Sequence, residues 1–225
     1  AGAAAAAAGA DEAEAARIAK LLGIQAPSFD LHSACSTFGA HVHFLMQMAD
    51  RLPDYVLLVS PENSTRVTDF SDRSSAILFG DATSAAVVST KIPSRARVSG
   101  SIFSVNPTGC DEVQVPRTAH FFQNGSAVQK FAIKQMSALL SQIQERIGPD
   151  RKPRLTYIGH QANLTMLEAV CRRCEIAPEK HLYNIVDYGN QAAAGAPVVL
   201  SQNWERFQAG DVVAMVVVGS GLSWS

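Results

Sequence analysis

Two kinds of apolar pattern alternate along this chain. Apolar residues three and four positions apart predict amphipathic helices, and short apolar runs between turn residues predict buried strands. The predicted helices cover residues 11–22, 36–50, 126–147, 163–174 and 191–207. The predicted strands cover residues 28–33, 55–60, 76–79, 85–89, 154–158, 182–186 and 211–218. Buried strands that alternate with helices in this way indicate a layered α/β fold.

A short polar segment divides the chain into two alternating units. Residues 91–95 (KIPSR) interrupt both periodicities and are typical of a linker. We therefore expect one unit over residues 1–95 and a second over residues 96–225. The alanine run at residues 3–8 has low complexity and is left out of this assignment.

Composition and charge narrow the class of protein. The 225 residues are 47% hydrophobic with a formal net charge of −1, so a large core can be buried and no basic surface for nucleic acid is indicated. Residues 212–218 form an apolar run too short to span a membrane. Four cysteines without disulfide spacing indicate a reducing compartment, and we expect a cytoplasmic protein.

One cysteine is distinguished by its position. Cys35 follows the predicted strand 28–33 and a turn of small residues, and it directly precedes the predicted helix 36–50. The N-terminus of a helix carries partial positive charge, which favours a thiolate. A single cysteine in an apolar segment is more often a small core residue. The interpretation of Cys35 as a nucleophile therefore depends on the motifs that follow.

Two later motifs put polar side chains at similar junctions. His160 lies between the predicted strand 154–158 and the predicted helix 163–174. Asn190 follows Gly189, which permits a tight turn, and precedes small residues that allow close packing. A His can share charge with a thiolate, and His and Asn can both donate to a carbonyl oxygen. With Cys35 they form a coherent set for nucleophilic acyl chemistry.

These motifs resemble the β-ketoacyl-ACP synthase III family of condensing enzymes, within the thiolase superfamily. HQAN at residues 160–163 and YGN at residues 188–190 resemble the family's His and Asn motifs, and Cys35 follows an apolar segment as the family's nucleophile does. FGDATSAAVV at residues 79–88 resembles the GDGAGA segment of the family. GSGLSW at residues 219–224 resembles its closing GGGFTW turn.

The resemblance, over about residues 17–225, implies a fold. We expect a thiolase-like layered α-β-α-β-α fold of two related halves whose sheets enclose buried helices. The nucleophilic Cys then belongs to the N-terminal half, and the His and Asn belong to the C-terminal half. Nearly all of the α/β segment that precedes the Cys in the family is absent, so we expect that the chain is part of a longer protein.

The resemblance also implies a two-step reaction. Cys35 attacks an acyl thioester of CoA or of a carrier protein, and backbone N–H groups of Cys35 and Ser220 form the oxyanion hole. A β-keto acid or malonyl-type acceptor then becomes an enolate, which His160 and Asn190 stabilise during a Claisen-type condensation. The family implies no metal and no tightly bound organic cofactor.

Departures from the family pattern favour a branch in secondary metabolism. Members that take malonyl groups from acyl carrier protein commonly have Arg two positions after the Asn of HQAN, where this chain has Thr165. Ser33 and Ser36 beside Cys35 depart from the primary-metabolism pattern as well. The chain is similar to the condensing subunit of bacterial alkylquinolone synthases, which joins a medium-chain acyl group to an aminobenzoyl-acetate unit.

Other functions stay open. One is a fatty-acid initiation synthase, another is a non-catalytic partner in a condensing complex, and a third is hydrolysis or acyl transfer to an amine or alcohol. The superfamily resemblance implies a homodimer or a heterodimer with a related thiolase-fold subunit, joined edge to edge between sheets. Residues 55–60 and 76–79 are the candidate edge strands, because they are apolar with few charges.

The remaining candidate residues are given structural roles. Cys171 and Cys174 form a CxxC without a second pair, which favours structural thiols over a metal or redox site. His41 and His43 are two positions apart on a predicted helix and do not share a face, which argues against a metal pair. Glu62 ends a predicted strand and is expected to be a turn residue rather than a substrate contact.

Overall fold

The computed structural model describes residues 3–4, 13–48, 51–73, 76–114 and 122–225. Its α-helices are α1 (Glu14–Leu21), α2 (Thr37–Met48), α3 (Gly125–Ile147), α4 (Leu164–Arg173), α5 (Ile185–Tyr188) and α6 (Gly195–Gln202). Its strands are β1 (Ala3–Ala4), β2 (Val56–Glu62), β3 (Ala82–Val88), β4 (Ser104–Val105), β5 (Val113–Gln114), β6 (Phe122–Gln123), β7 (Leu155–Gly159), β8 (His181–Leu182), β9 (Val212–Val216), β10 (Val218–Gly219) and β11 (Ser223–Trp224).

The N-terminal sheet has the order β1-β2-β3. Strand β2 pairs in parallel with β1 and antiparallel with β3 over its whole length. Its apolar residues Val56 and Leu58 are buried, and Phe38 and Val42 of α2 pack against them. The helix that follows Cys35 is thereby held on one face of this sheet.

The C-terminal sheet has the parallel order β8-β7-β9. Alternate residues of its central strand face opposite ways, so Tyr157 joins a core with α3 and α4, and Ile158 joins a core with Val199 of α6. Every residue of β7 is buried, as the continuously apolar run predicts for a parallel strand covered on both faces. The sheet therefore has helices on both sides.

A third sheet, of order β10-β11-β4, joins the last two strands, β10 and β11, to β4. Trp224 pairs with Val218 on one side and with Ser104 on the other. Beyond this ladder, the N–H of Asn106 donates to the carbonyl of Leu222 over 2.7 Å, and the N–H of Leu222 donates back over 3.1 Å. The C-terminal segment is thus fixed beside the turn that carries Cys35, which β10 contacts.

Three predicted strands have a different secondary structure in the fold. Residues 28–33 form no strand; Asp30 instead accepts hydrogen bonds from the first N–H groups of α1, at 2.8 and 2.9 Å. Residues 76–79 form a turn in which Phe79 makes a single bridge to Asn190. The strand predicted at 182–186 ends at Leu182 and continues into α5. In each case hydrogen bonds to distant parts of the chain decide the local structure.

Both predicted edge strands are also wrong. Residues 55–60 belong mostly to β2, which lies between β1 and β3 in the order of the sheet, with β1 paired to Leu57 and Leu58. Residues 76–79 are not a strand. Among the residues that the structure describes, β3 is the strand of this sheet that follows β2 and pairs with nothing on its other side. The division of the chain at residue 95 stays a prediction.

Candidate active site

Cys35 lies in a sharp turn immediately before α2. The 3₁₀ turn Ala34–Ser36 begins with Ala34 in the left-handed region, at φ +46°. Thr37 stabilises it twice, because its hydroxyl donates to the Ala34 carbonyl (2.6 Å) and accepts from the Ser33 N–H (2.8 Å). The predicted position of Cys35 at the start of a helix is confirmed, although no strand leads into it.

Gly219, the last residue of β10, approaches the backbone of this turn very closely. A β-carbon added at Gly219 would lie 2.8 Å from the Ser33 carbonyl oxygen, 2.8 Å from the Ser36 nitrogen and 3.1 Å from the Cys35 nitrogen. Only glycine fits there without displacing backbone. The next residue, Ser220, is therefore held beside Cys35. The two predicted oxyanion-hole residues lie on adjoining segments, and their role stays a prediction.

His160 follows the central strand of the C-terminal sheet. Gly159 is opposite Val216 in the parallel register, so His160 emerges beside the segment that leads into β10. His160 is buried, and burial lowers its pKa to about 4. The imidazole is therefore neutral at physiological pH, with one nitrogen that donates and one that accepts.

Two other residues of the HQAN motif hold this loop in place. Gln161 is fully buried; its Oε1 accepts from the N–H groups of Asn184 (2.9 Å) and Ile185 (3.2 Å), and its Nε2 donates to the Gly159 carbonyl (2.8 Å). Asn163 caps α4, since its Oδ1 accepts from Met166 N over 3.1 Å. Through these bonds, the two amide side chains of the motif hold the loop that carries His160.

Asn190 is held at the tip of its turn by the FGD segment. Its N–H donates to the Leu78 carbonyl (2.7 Å), and its own carbonyl accepts from Gly80 N (3.1 Å). Gly189 has φ +68°, and a β-carbon on Gly80 would overlap the Tyr188 carbonyl, so both glycines are required. The Asn190 Oδ1 accepts from Ala192 N at 3.0 Å. Its Nδ2 is then the group that can donate to a substrate.

Hydrogen bonds and packing bring the three motifs together. The turn Ala192–Ala194, which follows Asn190, packs against the turn that contains Cys35. On its other side, Asn184 links the two C-terminal motifs, because its N–H donates to Gln161 and its Nδ2 donates to Gln191 Oε1 over 3.2 Å. The segments that carry Cys35, His160 and Asn190 therefore form one continuous framework.

Glu62 is a buried carboxyl that joins β2 to the turn after Asn190. It ends β2, is buried, and accepts a hydrogen bond from Ala193 N at 3.3 Å through Oε1. Burial raises its pKa to about 8, against the opposing effect of the Ala193 N–H. The prediction of a turn residue is therefore wrong, because Glu62 is the last residue of β2 and is paired with Ala82. The available signal was an acidic residue at the end of an otherwise apolar strand.

The expectation that the helix N-terminus favours a thiolate at Cys35 is wrong, because the pKa of this thiol is raised. The residue as a whole is half-buried, but enclosure of its thiol, together with the smaller effect of the Glu62 charge, raises the pKa of Cys35 to about 12. The thiol's hydrogen bond with its own backbone opposes this only in part. The resting site therefore contains a neutral thiol and a neutral imidazole.

Comparison with known proteins decides the family. The 3-oxoacyl-(acyl-carrier-protein) synthase III pattern matches residues 29–107, and the C-terminal pattern of the same synthase matches residues 155–225. A β-ketoacyl-(acyl-carrier-protein) synthase III of Gloeobacter violaceus is 32% identical over 221 residues, which are 89% of this chain and 67% of that protein. The chain belongs to the 3-oxoacyl-(acyl-carrier-protein) synthase III family.

Another relative and a solved structure support the same family and fold. The Geobacillus kaustophilus protein of the same name is 31% identical over 208 residues, 91% of this chain, and the chain spans 66% of its length, less than two thirds. The crystal structure of the Pseudomonas aeruginosa PAO1 synthase III matches with a TM-score of 0.85 at 28% identity, covering 99% of this chain and 74% of that one. The predicted thiolase-like α/β fold is confirmed.

The other candidate residues have structural partners in the fold. The Nε2 of buried His41 is 3.1 Å from the Leu31 carbonyl, and the Nδ1 of His43 is 3.1 Å from Ser101 Oγ, so the two rings face different partners as predicted. Cys171 and Cys174 belong to the core between α3 and α4. Within the described residues there is no cluster of His, Cys, Asp and Glu suited to a metal ion, and no helix long and apolar enough to cross a membrane.

The Glu62 carboxyl generates a prediction about pH. Below pH 8 Glu62 is neutral, so Glu62→Gln and the unmodified chain should alkylate at Cys35 at the same rate. Above pH 8 ionised Glu62 opposes the thiolate, and the variant should become the faster one, with a ratio that rises with pH. The measurement is iodoacetamide alkylation of the Cys35 peptide, followed by mass spectrometry across pH 8.

Glutamine is a suitable replacement because its Oε1 can still accept from Ala193. Glu205→Gln is the matched control, since Glu205 is exposed and pairs with Arg95 at 2.8 Å. A rate ratio that stays constant across this pH range contradicts an effect of Glu62 on Cys35.

Proposed function

We propose that this chain carries the catalytic residues of a condensing enzyme that forms an acyl-Cys35 intermediate and transfers the acyl group to a carbon nucleophile. The observation that carries the proposal is the framework that joins the turns of Cys35 and Asn190 to the loop of His160. Membership of the synthase III family, and the names of the relatives, support the same reaction class.

The first half-reaction needs a proton acceptor, because the resting thiol is neutral. Cys35 Sγ attacks the thioester carbonyl carbon while its proton passes to the unprotonated nitrogen of His160. The carbonyl oxygen becomes an oxyanion facing the N–H groups of Cys35 and Ser220. When the tetrahedral intermediate collapses, the carbon–sulfur bond to the leaving group breaks and the leaving thiolate takes the proton from His160.

The second half-reaction uses the same imidazole as a donor. Having returned its proton, His160 is neutral again and keeps one N–H, which together with Asn190 Nδ2 can stabilise an enolate oxygen. Loss of CO₂ or of a proton from the acceptor forms that enolate. Its carbon attacks the acyl carbonyl, a carbon–carbon bond forms, and the Cys35 thiolate leaves. The thiolate takes a proton from water after loss of CO₂, or the proton that the acceptor lost.

Two substrate classes have separate support. The relatives named as β-ketoacyl-(acyl-carrier-protein) synthase III support fatty-acid initiation with a malonyl carrier protein as acceptor. The exposed Thr165 on α4, where a cation would favour an acidic carrier protein, supports a secondary-metabolism acceptor such as the β-keto acid of alkylquinolone synthesis. Turnover of malonyl carrier protein against turnover of an aminobenzoyl-acetate unit separates the two.

Acyl loading is predicted to depend on Cys35. Incubation with medium-chain acyl-CoA should add one acyl mass to the intact protein, and Cys35→Ala should abolish the adduct because no other thiol lies in the site. Cys110→Ala is the matched control, since Cys110 is an exposed free cysteine and its loss should leave the adduct unchanged. An adduct that persists in Cys35→Ala contradicts the assignment.

Asn190 is predicted to act in condensation rather than in loading. Asn190→Asp keeps the oxygen that accepts from Ala192 but removes the amide donor, so the turn is preserved. Condensation should fall by about 10²–10³, the usual effect of removing one preorganised donor, whereas single-turnover loading of Cys35 should change little. Equal losses in both half-reactions would exclude a role specific to the enolate.

We also infer that a second thiolase-fold subunit, identical or related, pairs with β3. The support is that β3 has one edge unpaired within the described residues, and that its Val87 is 67% exposed. The chain should sediment as a homodimer, or as a 1:1 complex when produced with its natural partner. A stable, fully active monomer at micromolar concentration contradicts this proposal.

A further inference from the structure

Three serine hydroxyls connect the Cys35 turn (residues 33–36) to the closing loop (residues 219–224). The Oγ atoms of Ser33 and Ser36 are 2.9 Å apart, those of Ser36 and Ser223 are 2.7 Å apart, and Ser223 Oγ lies 3.0 Å from the Ser220 carbonyl oxygen. Ser36 is fully buried and Ser223 is 3% exposed. The residues on the two sides of this cluster are 187 positions apart in the chain.

Counting protons gives the cluster a direction. Each hydroxyl has a single proton to donate. Donation from Ser33 to Ser36, from Ser36 to Ser223 and from Ser223 to the Ser220 carbonyl uses every proton once, with no bond longer than 3.0 Å. Ser36 has a second acceptor in reach, the Ser33 carbonyl at 2.8 Å. If Ser36 donates there, the proton in the 2.7 Å contact must come from Ser223, and the Ser220 carbonyl loses this donor. We therefore assign the direction in which the Ser220 carbonyl is satisfied.

The chain of hydroxyls ends on Ser220, the residue after the glycine that approaches the Cys35 turn. The Ser220 side chain is held separately, because its Oγ donates to the Val113 carbonyl over 2.8 Å. With its carbonyl fixed by Ser223, the backbone of Ser220 has little freedom to rotate. Because Gly219 abuts the Cys35 nitrogen, small movements of this loop would change the separation of the two N–H groups.

We propose that Ser33, Ser36 and Ser223 form a hydroxyl relay that positions the Ser220 N–H relative to the Cys35 N–H, so that both donate to one oxyanion. The relay residues are positioning residues, because they act through Ser220 and the Cys35 turn rather than on the substrate. This inference rests on the proposed acyl transfer to Cys35. It adds a reason for the serines that flank the nucleophile.

Two reactions of the same thiol separate positioning from general structural support. Acylation by a thioester passes through an oxyanion and depends on both N–H groups. Alkylation by iodoacetamide displaces iodide at a saturated carbon and forms no oxyanion. Loss of the relay should slow acylation by about tenfold or more, as expected for a misplaced catalytic group, and leave alkylation of Cys35 nearly unchanged.

The experiment compares both rates in Ser36→Ala, Ser223→Ala and the double variant, using octanoyl-CoA and iodoacetamide with mass spectrometry of Cys35. The double variant should be no slower than either single one, because the relay acts as a unit. Ser223→Thr keeps the hydroxyl and should retain acylation. Ser84→Ala is the matched control, since Ser84 is buried but its hydroxyl has no hydrogen-bond partner among the described residues.

Each result has a defined meaning. Slow acylation with normal alkylation, together with rescue by Ser223→Thr, supports the relay. Unchanged acylation in Ser36→Ala and Ser223→Ala overturns it, and so does a parallel loss of both reactions with a lower melting temperature, which would indicate structural support alone. If the unmodified chain takes up no acyl group while Cys35 alkylates normally, the proposed function fails and the relay proposal falls with it.

Discussion

The candidate site depends on the close approach of Gly219 to the backbone of the Cys35 turn. No side chain larger than hydrogen fits there, because a β-carbon would lie 2.8 Å from both the Ser33 oxygen and the Ser36 nitrogen. This contact joins the final strands of the chain to the start of α2. The segment that carries Cys35 therefore acquires its neighbours only when both parts of the chain have folded.

Burial of the site also decides the charge states of its titratable residues. Cys35, His160 and Glu62 are all shifted toward their neutral forms, mainly by burial. A neutral thiol is a weak nucleophile toward general electrophiles, so reactivity has to come from the substrate's position and from proton transfer during attack. Helix position alone, the basis of the sequence interpretation, does not account for the charge state of a buried thiol.

The sequence predicted well those elements whose own side chains decide their structure. The long helix α3 and the buried strand β7 agree with their apolar patterns to within about two residues, the usual uncertainty of element ends. The segments at 28–33 and 76–79 were mispredicted because Asp30 caps a helix and Phe79 bridges to Asn190. Such bonds join parts of the chain that no local pattern relates.

In the site, too, some residues could be predicted from local sequence and others could not. Cys35, His160 and Asn190 could be found because His160 and Asn190 lie within recognisable motifs and Cys35 follows an apolar segment. The supporting roles of Gln161 and Glu62 could not be assigned, because they depend on backbone N–H groups far away in sequence. The serine cluster was visible only as a departure from the family pattern. Its hydrogen bonds connect residues on opposite sides of the fold.

We propose that one oxyanion hole is built across the contact between the Cys35 turn and the closing loop. A crystal structure of the acyl-Cys35 form would show it. The acyl carbonyl oxygen should then lie about 3 Å from the backbone nitrogens of both Cys35 and Ser220. A carbonyl oxygen that contacts neither nitrogen, in a well-ordered acyl-enzyme, would contradict it.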